Sequence, residues 1–274
     1  MLLFLVTPFF IPKQFLLLPI LAFTPFAFGQ MQLENPGFED AWEDVPGSED
    51  EPAQWSSLKT ADALAVLAPI VVFQSDDAHS GSYCVKLENT ESFDVVANGI
   101  MTNGRVHADL DPENGNVFTD EGEADWNTPF TDRPDSLVAW VKYAPSGSDR
   151  GKIEVLLHKS GTTGKLPETG STDHWVGKAR IDIEGSMEDW TRVSAPFNYF
   201  NEDAPAYALA VVTSGDSTIA VDGSIMYVDD IELIYAEDAS VQKEALDFKV
   251  YTDDASNLIV NSTAYSNANL TVLN

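Results

Sequence analysis

Apolar residues in this chain recur at every second position and almost nowhere at every third or fourth. Leu137, Ala139, Val141 and Tyr143 alternate with Val138, Trp140 and Lys142, and Ile153, Val155 and Leu157 alternate with Lys152, Glu154 and His158. Successive side chains of an extended strand point to opposite faces, so each run reads as a strand with one face on a core. Similar runs cover residues 69–73, 82–87, 176–183, 190–197, 207–213 and 225–235. The best helical stretch, residues 61–68, is short and ends at Pro69. A parallel sheet needs crossover helices, which this pattern lacks. Roughly nine strands divided by Gly, Pro, Asn and Asp turns therefore predict an all-β protein whose two antiparallel sheets share one core.

Composition fits one large core: of 274 residues, 44% are hydrophobic and 11% aromatic. Cys84 is the single cysteine, so no internal disulfide forms, and without a Cys-His-Asn pattern it reads as a small buried strand thiol. Forty-four acidic against 15 basic residues give a formal charge of −29. Phosphate backbones are bound by Lys and Arg that release counterions, so nucleic acid is excluded as a partner, and anionic lipid is repelled. Neutral ligands and divalent cations stay compatible with this charge, whose plainest role is a solvated coat.

The two ends differ from the middle. Residues 15–28 are a mostly apolar run preceded by Lys13 and Gln14 and closed by Ala27-Phe28-Gly29, which predicts a signal peptide over 1–29 and a secreted or cell-surface protein that passes the periplasm. The run is shorter than the ~20 residues of a spanning helix and is broken by Pro19 and Pro25, so no membrane insertion is expected after cleavage. A sandwich domain over 30–236 follows, then an acidic linker over 237–247 and a short β segment over 248–274.

Several stretches carry resemblances. Leu33-Glu34-Asn35-Pro36-Gly37-Phe38-Glu39 and Gly223-Ser224-Ile225-Met226-Tyr227-Val228-Asp229-Asp230-Ile231-Glu232-Leu233 resemble the first and last strands of jelly-roll carbohydrate-binding modules. His79-Ser80-Gly81-Ser82-Tyr83 resembles their turn into an inner strand. Among such proteins the chain is similar to the "putative carbohydrate metabolism domain" of secreted bacterial proteins. The shared features, in order, are Trp55, the Asn98-Gly99-Ile100 to Asn103-Gly104 stretch, Pro129-Phe130 before Arg133-Pro134, Trp140 to Tyr143, Trp190 leading to Tyr199, and the Val-Asp-Asp ending. The tail strands with Tyr251-Thr252-Asp253-Asp254-Ala255 resemble part of the type IX secretion sorting tail, without the two prolines of its Tyr-Pro-Asn-Pro-Ala motif, which implies that secretion machinery as a partner.

These resemblances imply an antiparallel jelly-roll sandwich, related to galactose-binding and carbohydrate-binding modules, whose first and last strands meet around a structural calcium. Glu39, Asp229 and Asp230 are the expected ligands, with backbone carbonyls completing six to eight oxygens at ~2.4 Å. The plainer alternative is that these carboxylates make capping hydrogen bonds at a sheet edge. Asp109-Leu110-Asp111-Pro112-Glu113-Asn114-Gly115 also resembles a calcium loop, but its Gly falls one place late. Sugar binding needs flat aromatic faces with polar groups beside them. Of six Trp, Trp140 and Trp190 sit in strands and are assigned to the core, whereas Trp126, Trp175 and Trp42 stand beside acidic loop residues and are the candidate ligand contacts.

No nucleophile elbow, zinc-binding His pair, phosphate-binding Gly loop or Ser-His-Asp order is present, and His79, His107, His158 and His174 fall at unrelated spacings. Glycosidases need two carboxylates at a set separation, and 44 acids nominate no pair. The leading expectation is a non-catalytic module for a glycan or polysaccharide outside the cell. A surface structural or adhesion protein and a glycan-active hydrolase are the alternatives.

Overall fold

The computed structural model describes residues 29–45, 50–161, 164–168, 170–216 and 218–236, and the strand backbones at 250–252 and 258–260. The expected signal peptide, apart from Gly29, and the linker lie outside the described residues, as do the tail's remaining residues. In chain order the strands are β1 (Trp42–Glu43), β2 (Glu51–Pro52), β3 (Val72–Ser75), β4 (Cys84–Glu88), β5 (Thr90–Ser92), β6 (Val95–Ala97), β7 (Ile100–Thr102), β8 (Arg105–His107), β9 (Asn116–Phe118), β10 (Thr128–Pro129), β11 (Ser136–Ala144), β12 (Arg150–His158), β13 (Lys165–Leu166), β14 (Trp175–Glu184), β15 (Met187–Pro196), β16 (Asn198–Tyr199), β17 (Tyr207–Thr213), β18 (Ile225–Ile234), β19 (Val250–Thr252) and β20 (Leu258–Val260).

One sheet runs β15-β11-β18-β4-β3; the other runs β10-β17-β12-β14-β16, with β7 also on β17. Their pairings are all antiparallel. The alternation explains how they close. Leu137, Ala139, Val141 and Tyr143 of β11 and Val85 and Leu87 of β4 meet Ile153, Val155 and Leu157 of β12 and Ala208, Ala210 and Val212 of β17 in one buried cluster. The chain is thus an all-β antiparallel sandwich of the jelly-roll class.

Two bulges change which side chains face in. On β18, Met226 and Val228 point to the core, and then so do Ile231 and Leu233. The register against β11 slips between Val138 and Trp140, and Asp230 takes a left-handed φ of 46°, which Asp tolerates better than most residues. On β14 the slip between Leu157 and His158 of β12 turns Val176 into the shared core and Trp175 out of it.

The two outer faces are unlike each other. The six-stranded sheet is covered by the small sheet β13-β9-β8, whose Val106, Val117 and Leu166 pack on Leu156, Leu209, Val211 and Trp175. Strand β12 is therefore buried on both faces. No such layer covers the five-stranded sheet among the described residues.

Residues 61–68 do not form the expected helix but a run of bends and turns. Lys59 Nζ donates to the carbonyls of Ala65 (3.4 Å) and Ala68 (2.9 Å), and the Asp62 amide is taken by Val106, so partners outside the segment hold it in a non-helical course. Cys84 is fully buried with its Sγ 3.3 Å from the Asp77 carbonyl, and burial pushes its thiol up to about 12, as a structural strand cysteine requires. The tail strands β19 and β20 pair antiparallel.

Candidate functional site

The first and last segments of the sandwich lie side by side. The Ile231 amide donates to the Pro36 carbonyl (2.9 Å), and the Gln32 side chain both donates to and accepts from Leu233. Glu39, Asp229 and Asp230 are gathered here around the 79–83 turn. Glu39 Oε1 accepts the amides of Ser82 and Tyr83 (2.8 Å each), and Asp229 Oδ2 accepts those of His79 (2.8 Å) and Ser80 (3.2 Å). Asp230 meets His79 Nδ1 at 2.7 Å through Oδ2 and the Ser80 hydroxyl at 3.0 Å through Oδ1. Asp229 is fully buried, and burial raises its carboxyl above the usual range against the pull of the Ser80 amide. These oxygens are engaged by N–H and O–H donors, and among the described residues no three His, Cys, Asp or Glu side chains converge to hold a metal. These contacts are those of the capping alternative. Excess chelator is accordingly expected to leave the melting temperature unchanged; a fall of several degrees would show that a cation holds this junction.

The same turn reaches the open face of the five-stranded sheet. The His79 ring stacks on Trp140 with centroids 3.7 Å apart and meets Trp190 edge-on at 5.9 Å. Lys142 places its ammonium 5.1 Å from the centre of the Trp190 ring while Asp77 holds it at 2.7 Å. Trp140 pairs with Asp229 on one side and Arg192 on the other, and Lys142 pairs with Tyr227, so indole, phenol and cationic groups share this face. Trp190 Nε1 is buried without an acceptor. Trp140 and Trp190, assigned to the core from sequence, thus belong to an outward face, half-buried by their neighbours.

The three expected ligand contacts lie elsewhere. Trp175 is only 5% exposed and is packed in the second apolar cluster with Phe200 6.1 Å away, so the structure places it in the core. Trp42 folds back on the main core, its Nε1 donating to the Phe38 carbonyl at 3.1 Å. Trp126 lies in a single 3₁₀ turn with the Arg105 guanidinium 4.0 Å over its ring, which covers one aromatic face.

Near Trp175, His158 is completely buried between the Thr119 hydroxyl on Nε2 (2.8 Å) and the Lys159 carbonyl on Nδ1 (2.9 Å). Burial, reinforced by nearby His174, lowers its pKa below the ordinary 6.5. The unfolded chain then binds a proton that the folded chain refuses, so this contribution to stability is full above pH 6.5 and shrinks as pH falls through that value toward the folded pKa. Acidifying from pH 7.5 to 5.5 should therefore lower the melting temperature of the native chain more than that of His158→Gln; equal losses would remove this assignment.

Two solved structures share the sandwich. One, described as a "putative glycoside hydrolase" from Bacteroides thetaiotaomicron, matches with a TM-score of 0.54 at 18% identity over 73% of this chain and 70% of its own. The other, described in the same words and from Bacteroides vulgatus, has a TM-score of 0.53 at 16% identity over 75% of this chain and 98% of its own. Likeness at such identity establishes the fold. No protein-family model and no curated protein matches the chain.

Proposed function

We propose that the protein is a secreted or cell-surface module that recognises a glycan without cleaving it, and that the sugar lies on the outer face of the five-stranded sheet. The observation that carries this reading is the group of Trp140, His79, Trp190 and Tyr227 on the sheet face that, among the described residues, no other layer covers. Pyranose C–H faces stack on indole rings, while cationic and hydroxyl groups beside the rings orient the sugar hydroxyls. A ligand oxygen reaching Trp190 Nε1 would satisfy a donor that the protein leaves unpaired. The acidic coat suits a neutral polysaccharide, and the names of the two similar structures accord with carbohydrate handling.

Affinity electrophoresis in polysaccharide gels tests this. Trp190→Ala, on the edge strand β15, is expected to weaken retention about tenfold with a small change in melting temperature, whereas Trp126→Ala leaves retention intact. Failure of the native protein on every glycan would favour the adhesion reading. Reducing-sugar release that disappears on substitution of one Asp or Glu would favour the hydrolase.

A further inference from the structure

A concavity lies on the side of the sandwich away from the five-stranded sheet, on the outer face of the six-stranded sheet. Its volume is about 160 Å³. Val211 of β17 and Val106 and Val117 of the covering sheet line it, together with the β5–β6 hairpin and the 64–69 segment. Leu67, Phe93 and Leu110, from three separate segments, stand around it at 54%, 70% and 60% exposure. Single exposed apolar side chains are ordinary, but three converging on an apolar hollow in so acidic a protein are not.

The chemistry of the wall narrows the occupant. Its ionisable groups already have partners: Lys152 meets Glu154 at 3.3 Å, His107 meets Asp62 at 2.9 Å, and Asp109 accepts the Asp111 amide at 2.8 Å. A further anion would also face the net charge of −29. Among the residues lining the hollow, one buried polar atom is left without a partner. Asn98, in the lining, gives its Nδ2 to the carbonyls of Gly215 (3.0 Å) and Asp216 (3.1 Å), which fixes the amide's orientation, and its Oδ1 is buried with no donor. A buried acceptor left unpaired is costly, and a ligand N–H or O–H would relieve it. Size points the same way, since an apolar cavity of about 150 Å³ accommodates a benzene molecule.

We propose that this cleft binds a small uncharged molecule with a phenyl-sized apolar body and one hydrogen-bond donor, of which phenol is the simplest. The site is separate from the proposed glycan face and does not depend on it.

Calorimetric or NMR titration of the full chain at pH 7 with phenol and with toluene, of nearly equal size, tests the proposal. Phenol is expected to bind saturably and about tenfold more tightly than toluene, the difference being the hydrogen bond to Asn98. Asn98→Leu should abolish that preference while both molecules still bind. The exposed pair Leu67→Asp with Phe93→Asp should weaken both without unfolding the chain, which keeps the test decisive if Asn98→Leu does not fold. Absence of saturable phenol binding overturns the proposal, as does indifference to the rim variant or a phenol preference that survives Asn98→Leu. A rim variant that only dissociates an oligomer would instead make the cleft a contact between copies, and the proposal would fall.

Discussion

Asp149→Ala is expected to lower stability by about 4 kcal/mol and the melting temperature by roughly 10 °C. Asp149 is 5% exposed in the turn between β11 and β12. Its Oδ1 accepts the amides of Arg150 and Asp216 (2.8 Å each), and its Oδ2 accepts from Asn89 Nδ2 (2.8 Å), the Val221 amide (2.9 Å) and the Ser224 hydroxyl (2.8 Å). Truncation leaves five donors without their carboxylate, and donors buried away from water lose the whole hydrogen bond. Asn89 spreads the damage. Its Oδ1 accepts the Gly99 amide (2.9 Å) and the Ser214 hydroxyl (2.7 Å), so one Asp–Asn pair ties four connections at one end of the sandwich. Urea unfolding measures the loss, and a change under about 1 kcal/mol would mean that these loops are held by something else.

That knot shows what was legible in the sequence and what was not. The alternation in β11 and β12 was enough to predict the sheets, because period two survives in any single strand without knowledge of its partners. The same alternation already set Trp140 on the face of Lys142, opposite Leu137 and Val141; assigning it to the core rested on its place in a strand and passed over that parity. Trp175 misled in the reverse sense. It shares parity with Ala179, Ile181 and Ile183, yet the slip against His158 moves it to the other side, and a bulge depends on the neighbouring strand. The Asn-Gly pairs at 98–99 and 103–104 were visible only as part of a resemblance. Their cause is spatial. A Cβ on Gly99 would lie 2.7 Å from the Glu88 backbone nitrogen, and one on Gly104 would lie 2.4 Å from the Phe118 carbonyl oxygen. Asn103 meanwhile donates to Thr128 and Ala208 and accepts from the Ala210 amide. Partners 25 to 107 positions away leave no local trace.

Removing Glu154 alone should be damaging, and removing it together with its partner should not. Glu154 is 2% exposed in the middle of β12, with Lys152 Nζ at 3.3 Å on Oε2 and Lys178 Nζ at 3.1 Å on Oε1. Lys178 is nearly one-third exposed and sits 5.0 Å from the centre of the Trp175 ring, so it retains water and an aromatic face when the carboxylate goes. Lys152, at 8% exposure under the covering sheet, loses a buried counter-charge. A buried ion broken from its partner costs about 3–5 kcal/mol, whereas a buried pair exchanged for apolar side chains of similar volume is commonly neutral or better. Glu154→Ala is thus expected to destabilise by about 3–5 kcal/mol, and Lys152→Met with Glu154→Leu to stay within about 1 kcal/mol of the native chain. If the double substitution is as damaging as the single one, the pair fixes the register of β12 against β14 and β17, and its charge is needed for the fold. If it is harmless, the central strand is held by the apolar layers on its two faces, and the alternation of Ile153, Val155 and Leu157 suffices to place it.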